Sequence, residues 1–114
     1  MARPQYVGPI LMQDAATATG NGTSVACVDT SSGTMMQLMV QISGISGDTI
    51  TFEGTVGGTI WDDITATFRA DEVMAATATV DGIYMINCLA LAAVRARIST
   101  YSAGTITAVA LGVE

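Results

Sequence analysis

The 114-residue sequence contains no histidine and no lysine. Without histidine, the usual base that activates a serine or cysteine nucleophile is missing, and neither Cys27 nor Cys88 has a neighbouring His or Lys to lower its pKa. Two widely separated cysteines without histidine do not make a four-ligand zinc set. A phosphate-cradling glycine loop ending in lysine is likewise absent. Charge is scarce, at 12% of residues, and the formal net charge of −6 excludes electrostatic nucleic-acid binding as the default reading. No run approaches the roughly 18 apolar residues of a membrane helix. The two prolines, Pro4 and Pro9, both lie near the N-terminus.

Apolar residues are abundant: half the chain is hydrophobic and the mean hydropathy is +0.50. A chain of this length has room for one core. With no membrane helix to absorb it, the apolar excess points to surface buried against other chains in an assembly. All four cations are arginines, Arg3, Arg69, Arg95 and Arg97, the cation enriched at interfaces. The first residues carry one charge and no long apolar core, so they do not read as a signal peptide, and Cys27 and Cys88 are expected as reduced thiols. Both sit in apolar strand contexts that would also fit a bridge.

The clearest local pattern is residues 48–61, DTITFEGTVGGTIW. Ile50, Phe52 and Val56 share one face of an extended strand, and Thr49, Thr51, Glu53 and Thr55 share the other, which predicts a hairpin half buried and half wet. Gly57-Gly58 makes the turn, and Thr59, Ile60 and Trp61 open the return. Elsewhere Met36, Leu38, Val40 and Ile42 alternate with Met35, Gln37, Met39 and Gln41. Ala76, Ala78 and Val80 oppose Thr77 and Thr79, and Asp81-Gly82 marks a tight turn. Tyr84, Ile86 and Cys88 form one face, as do Val94, Ala96 and Ile98 with Arg95 and Arg97 outward, and Ile106, Ala108 and Ala110. Short alternating strands with outward threonines and frequent turns predict an all-β antiparallel sandwich, jelly-roll or Ig-like, with almost no helix. Residues 1–16, with their prolines, read as an extended N-terminal arm, and residues 17–114 as the single sandwich domain.

Candidate functional residues follow from this layout. Arg3 and Tyr6 on the arm, Met35 and Met39 on the outward face of their strand, and Arg95 and Arg97 together are candidate interface residues, because methionine adapts to contact surfaces and two neighbouring arginines need a carboxylate partner, either Glu53 or a neighbouring subunit. Trp61 with Asp62 and Asp63 offers an alternative, a carbohydrate platform, although a lone Trp at a hairpin end is more often a lid on the core. The pairs Asp62-Asp63 and Asp71-Glu72 lack calcium-loop spacing, so no metal, cofactor or catalytic set is expected and the protein is read as non-enzymatic.

The segments TATGNGTSVACVD, MVQISGISGDTITFEGTVGGTIW and VDGIYMINCLALAAVRARISTYSAGTITAVAL together resemble small β-sandwich structural proteins of tailed-phage virions, over roughly residues 17–111. The carriers are residues 52–55, Gly57-Gly58, Trp61, residues 82–84, Val94 with Arg95 and Arg97, and residues 103–107. The chain departs from that pattern with Gly57-Gly58 where Asp-Gly is usual, and with Leu89-Ala90-Leu91 where the link usually holds Gly-Leu. The resemblance implies a capsid decoration (cement) protein on the outside of a phage head, a symmetric homo-oligomer, often a trimer, whose partner is the major capsid protein. A neck, tail or head-fibre component is the alternative it leaves open. Neither nucleic acid nor membrane is an implied partner.

Overall fold

The computed structural model describes residues 6–29, 33–34 and 37–113. Among these there is no helix, and the strands are β1 Tyr6–Ala16, β2 Val25–Ala26, β3 Val28–Asp29, β4 Gly33–Thr34, β5 Gln37–Ser43, β6 Thr49–Thr55, β7 Asp62–Asp63, β8 Ala66–Phe68, β9 Met74–Ala75, β10 Thr77–Ala78, β11 Gly82–Asn87, β12 Ala93–Thr100 and β13 Ile106–Val113. One sheet has the order β1-β13-β5-β11-β8-β9. The second runs β10-β6-β12-β2, with β7 also paired to β6, and β3 and β4 form a small separate ribbon. All pairings are antiparallel. The protein is an antiparallel β-sandwich.

The alternating residues meet between the sheets. Leu38, Val40 and Ile42 of β5, Ile86 of β11 and Ile106, Ala108 and Ala110 of β13 face Ile50 and Phe52 of β6 and Val94, Ala96 and Ile98 of β12, all at 0–1% exposure. Tyr84 bridges the aromatic part of this core, 5.4 Å from Phe52 and 4.8 Å from Phe68 between ring centroids, and its hydroxyl donates to the Val80 carbonyl at 2.6 Å. Cys27 and Cys88 are free thiols buried in the core. Contact with Cys27, with burial adding to it, pushes the Cys88 thiol up from its ordinary pKa.

Four differences from the sequence reading have physical causes. The expected arm, over its described part, is the edge strand β1, paired with β13 from Tyr6↔Val113 to Ala16↔Ile106. Pro9 suits that place because an edge strand leaves one side without ladder donors. Gln13 of β1 then ties the two sheets together, its Nε2 donating to the carbonyls of Ala96 at 2.8 Å and Gly20 at 3.2 Å. The hairpin returns later than expected, because β7 begins at Asp62, so Thr59, Ile60 and Trp61 belong to the connection, and Val56 and Ile60 are each 75% exposed. The expected strand at 76–80 is reduced to β10, which pairs with β6, while β9 just before it pairs with β8 in the other sheet, so the chain changes sheets at Ala76.

The last difference concerns the side of β6 expected to be wet. Thr51, Glu53 and Thr55 are 6%, 6% and 2% exposed. Alternation places them away from the core, but the connection after β6 folds over them, with the Gly58 amide donating to Thr55 Oγ1 at 2.9 Å and Trp61 lying on Arg95. On the opposite, core-facing side of β6, Leu91 and Ile64 close on Gly54 so tightly that a Cβ there would stand 3.1 Å from both side chains.

Candidate functional surfaces

Glu53 is the centre of the covered outer face. Arg95 and Arg97 lie on the neighbouring strand, registered opposite Glu53 and Thr51. Arg95 Nε donates to Glu53 Oε1 at 2.8 Å, and Arg97 Nε lies 3.1 Å from Glu53 Oε2. The guanidinium of Arg95 also stacks over the Trp61 ring, 4.1 Å from its centroid, a cation–π contact. Next along the same face, Thr51 Oγ1 donates to Ser99 Oγ at 2.7 Å. The partner sought for the two arginines is therefore inside the chain. One carboxylate holds both guanidinium groups apart and keeps them from repelling.

This placement also decides what Trp61 does. The ring lies on Arg95 at the outer face rather than over the core between the sheets, so it is a cap on the ion cluster and not a core lid. One of its faces is occupied by Arg95, which removes that face as a stacking platform for a sugar. Asp62 and Asp63 are exposed, and as successive residues of β7 they point to opposite sides of the strand instead of converging on a ligand. Nearby, Gly54, Ile60, Asp62, Ile64 and Leu91 contribute to a shallow depression of ≈ 310 Å³ whose lining is mainly apolar. Among the described residues no three His, Cys, Asp or Glu side chains group as a metal site.

Sequence reasoning missed Asp48. It is 1% exposed, and its carboxylate accepts backbone N–H groups from Ser46 at 2.8 Å, Ser102 at 2.5 Å and Gly104 at 3.0 Å. These donors, Ser102 foremost, hold the carboxyl below its ordinary pKa against the opposing effect of desolvation. The residue binds the loop before β6 to the loop before β13. Gly104 is required there, because a Cβ would run into the Asp48 carboxylate and the Gly44 carbonyl. The available signal was a pair of short Ser/Gly loops, Ser46-Gly47 and Ser102-Ala103-Gly104, with one acid beside the first.

The opposite outer face, on the six-stranded sheet, has another character. Registered rows cross β1, β13, β5 and β11: Leu11, Val109, Gln41 and Ile83 in one, and Leu111, Met39 and Met85 in the next. A third contains Tyr6, Val113, Gln37 and Asn87. None of these residues is charged. Tyr6 is 70% exposed, Leu11 48%, Leu111 43% and Ile83 42%. Pro9, Met39, Gln41, Ile83, Val109 and Leu111 enclose a shallow depression of ≈ 360 Å³. Of the residues expected at an interface, Tyr6 and Met39 thus share this face, Arg95 and Arg97 share the other, and Arg3 and Met35 lie outside the described residues.

The class these observations define is an antiparallel β-sandwich with one outer face closed by its own ion cluster and one left apolar. No protein-family model matches the sequence, and no curated protein matches it. Two solved structures share the fold. The SPBc2 prophage-derived protein YomS superposes with a TM-score of 0.86 at 17% identity, covering 100% of this chain and 97% of YomS. The PBSX exported protein XepA superposes with a TM-score of 0.88 at 12% identity, covering 100% of this chain but 39% of XepA.

Proposed function

We propose that this chain is a non-enzymatic structural protein of a tailed-phage particle, and within that class a capsid decoration protein that binds the outside of the head as a symmetric oligomer, a trimer in the form the sequence resemblance implies. The observation that carries the reading is the fold shared over the whole chain with a prophage-derived protein of matching length. The uncharged apolar outer face supports it, since a protein whose work is assembly needs contact surface and not a reactive cleft.

The test is to purify particles of the phage that encodes the chain, count copies by quantitative mass spectrometry and locate them with a labelled antibody. Many copies spread over the head support decoration. A few copies at one vertex, the neck or the tail place the protein in the phage particle but overturn the decoration role. Its absence from purified particles, with the protein free in the lysate, overturns the reading altogether.

A further inference from the structure

We propose that the outer face of the six-stranded sheet is the surface on which a second copy of this chain packs. The inference deepens the proposed function by naming the face through which the oligomer forms, and it rests on that reading only for the biological setting. The first argument is size. The face spans four strands about 4.8 Å apart, and β13 extends over eight residues. At about 6.8 Å per row the three rows cover about 400 Å² on each copy, so a pair would bury about 800 Å², the size of a small, reversible interface.

The second argument is charge. The chain carries −6, and two such chains repel wherever carboxylates meet. The three rows from Tyr6 to Ile83 carry no charge, so this is where a copy approaches without placing an acid against an acid. A cationic partner, by contrast, would be drawn to the carboxylates elsewhere. The third argument separates face from edge. Among the described residues this sheet has two edges, the two-residue β9 and the long β1, whose pairing slips three times, between Val7 and Ile10, Leu11 and Gln13, and Gln13 and Ala16. Pro9 also lies on β1. Bulges and proline blunt an edge against pairing with another chain, which leaves the broad face as the route of contact.

The experiment compares the purified wild-type chain with Leu111→Arg and Ile83→Arg by light scattering after size exclusion. Val73→Arg serves as the control, because Val73 is 58% exposed but lies off the face. The wild type should run as a multiple of 11.7 kDa. Either face variant should raise the dissociation constant on the order of 100-fold and release a monomer, because it buries an unpaired charge. Val73→Arg should leave the assembly intact. If an arginine variant loses its circular dichroism spectrum, the double variant Leu111→Gln with Ile83→Gln removes the apolar contact without a charge. A monomeric wild type, or an oligomer that none of the face variants disturbs, overturns the inference. A monomer that occurs in particles and loses its place there on Leu111→Arg shows that another virion protein covers the face. Conversely, an oligomer broken by Leu111→Arg but absent from particles leaves the inference standing while the proposed function fails.

Discussion

On the outer face of the five-stranded sheet, Thr51, Glu53 and Thr55 are 6%, 6% and 2% exposed, whereas on the outer face of the six-stranded sheet Ile83 and Leu111 are 42% and 43% exposed. The polar face is dry and the apolar face is wet. The first is closed by its own chain: the Gly58 amide meets Thr55, Trp61 lies on Arg95, and Glu53 takes both arginines. Each charge there is answered locally, so little is left over for a partner. The second face has no charge within its rows, and among the described residues Ile83 and Leu111 stay open to solvent. Its free energy of burial is therefore still available to an association. The candidate for function is thus the face with the plainer residues.

The comparison rests on the strand register, and the largest expected effect tests that. Phe52, 0% exposed, packs between the sheets against Tyr84. Phe52→Ala should lower the unfolding free energy in urea by about 3–5 kcal/mol. A midpoint within error of wild type would mean that β6 presents its other side to the core, and the assignment of the two outer faces would fall with it.

Next comes the ion cluster. Glu53→Ala leaves Arg95 and Arg97 side by side on β12 without a carboxylate, and should cost about 2–3 kcal/mol by urea titration. Arg97→Ala should cost less than about 1 kcal/mol, because its side chain is 35% exposed, solvent screens it, and Glu53 retains Arg95. Equal losses in the two variants would show that the face is held by packing and not by the shared carboxylate. Neither substitution should change the oligomeric state, and a change would move the interface to this side.

Asp48 connects stability to pH. Its folded pKa is depressed, so its contribution is present in full above the unfolded value, about 3.9 for an ordinary aspartate, and is lost as pH falls through the folded value. The wild type should hold a nearly constant Tm above pH about 5 and lose it steeply below pH about 4. Asp48→Asn should have a lower Tm at neutral pH and a flatter acid limb, measured by differential scanning calorimetry. An unchanged acid limb would assign acid unfolding to other carboxylates.

How far the sequence carried these conclusions differs from one region to the next. Alternation identified Leu38, Val40 and Ile42, Val94, Ala96 and Ile98, and Ile106, Ala108 and Ala110 as core, because a strand's period of two is local and survives any topology. It could not show that Glu53 is buried, since alternation reports which side faces away from the core and not which loop covers that side. The change of sheet at Ala76 was hidden for a related reason: alternation over 76–80 does not say which sheet receives the run or that the residues just before it pair in the other. Pro4 and Pro9 suggested an arm, yet an edge strand tolerates Pro9 equally well, and only the pairing with β13 separates the two. Tyr6 and Met39 were recognised as interface candidates one at a time. Their membership in a single uncharged face depends on the order β1-β13-β5-β11, which no local pattern encodes.

The smallest expected effect is opposite in sign and concerns the turn that brings Leu91 to the core side of Gly54, away from the polar face. The turn at residues 88–91 is closed by the Leu91 amide donating to the Cys88 carbonyl at 3.2 Å, and Ala90 at its third position has φ +66°. Such a turn favours glycine there, because a Cβ in left-handed backbone costs about 1–2 kcal/mol. Ala90→Gly relieves that cost but loosens the unfolded chain by about 0.4–1 kcal/mol. The net should be a gain of about 0.5–1 kcal/mol, read as a higher urea midpoint with an unchanged slope. Leu91, the next residue, would still close on Gly54 from the core side, and the polar face with Glu53 should be unaffected. A loss of stability instead would mean that the strained turn presses Leu91 against Gly54, and that this end of the core owes its packing to the left-handed Ala90.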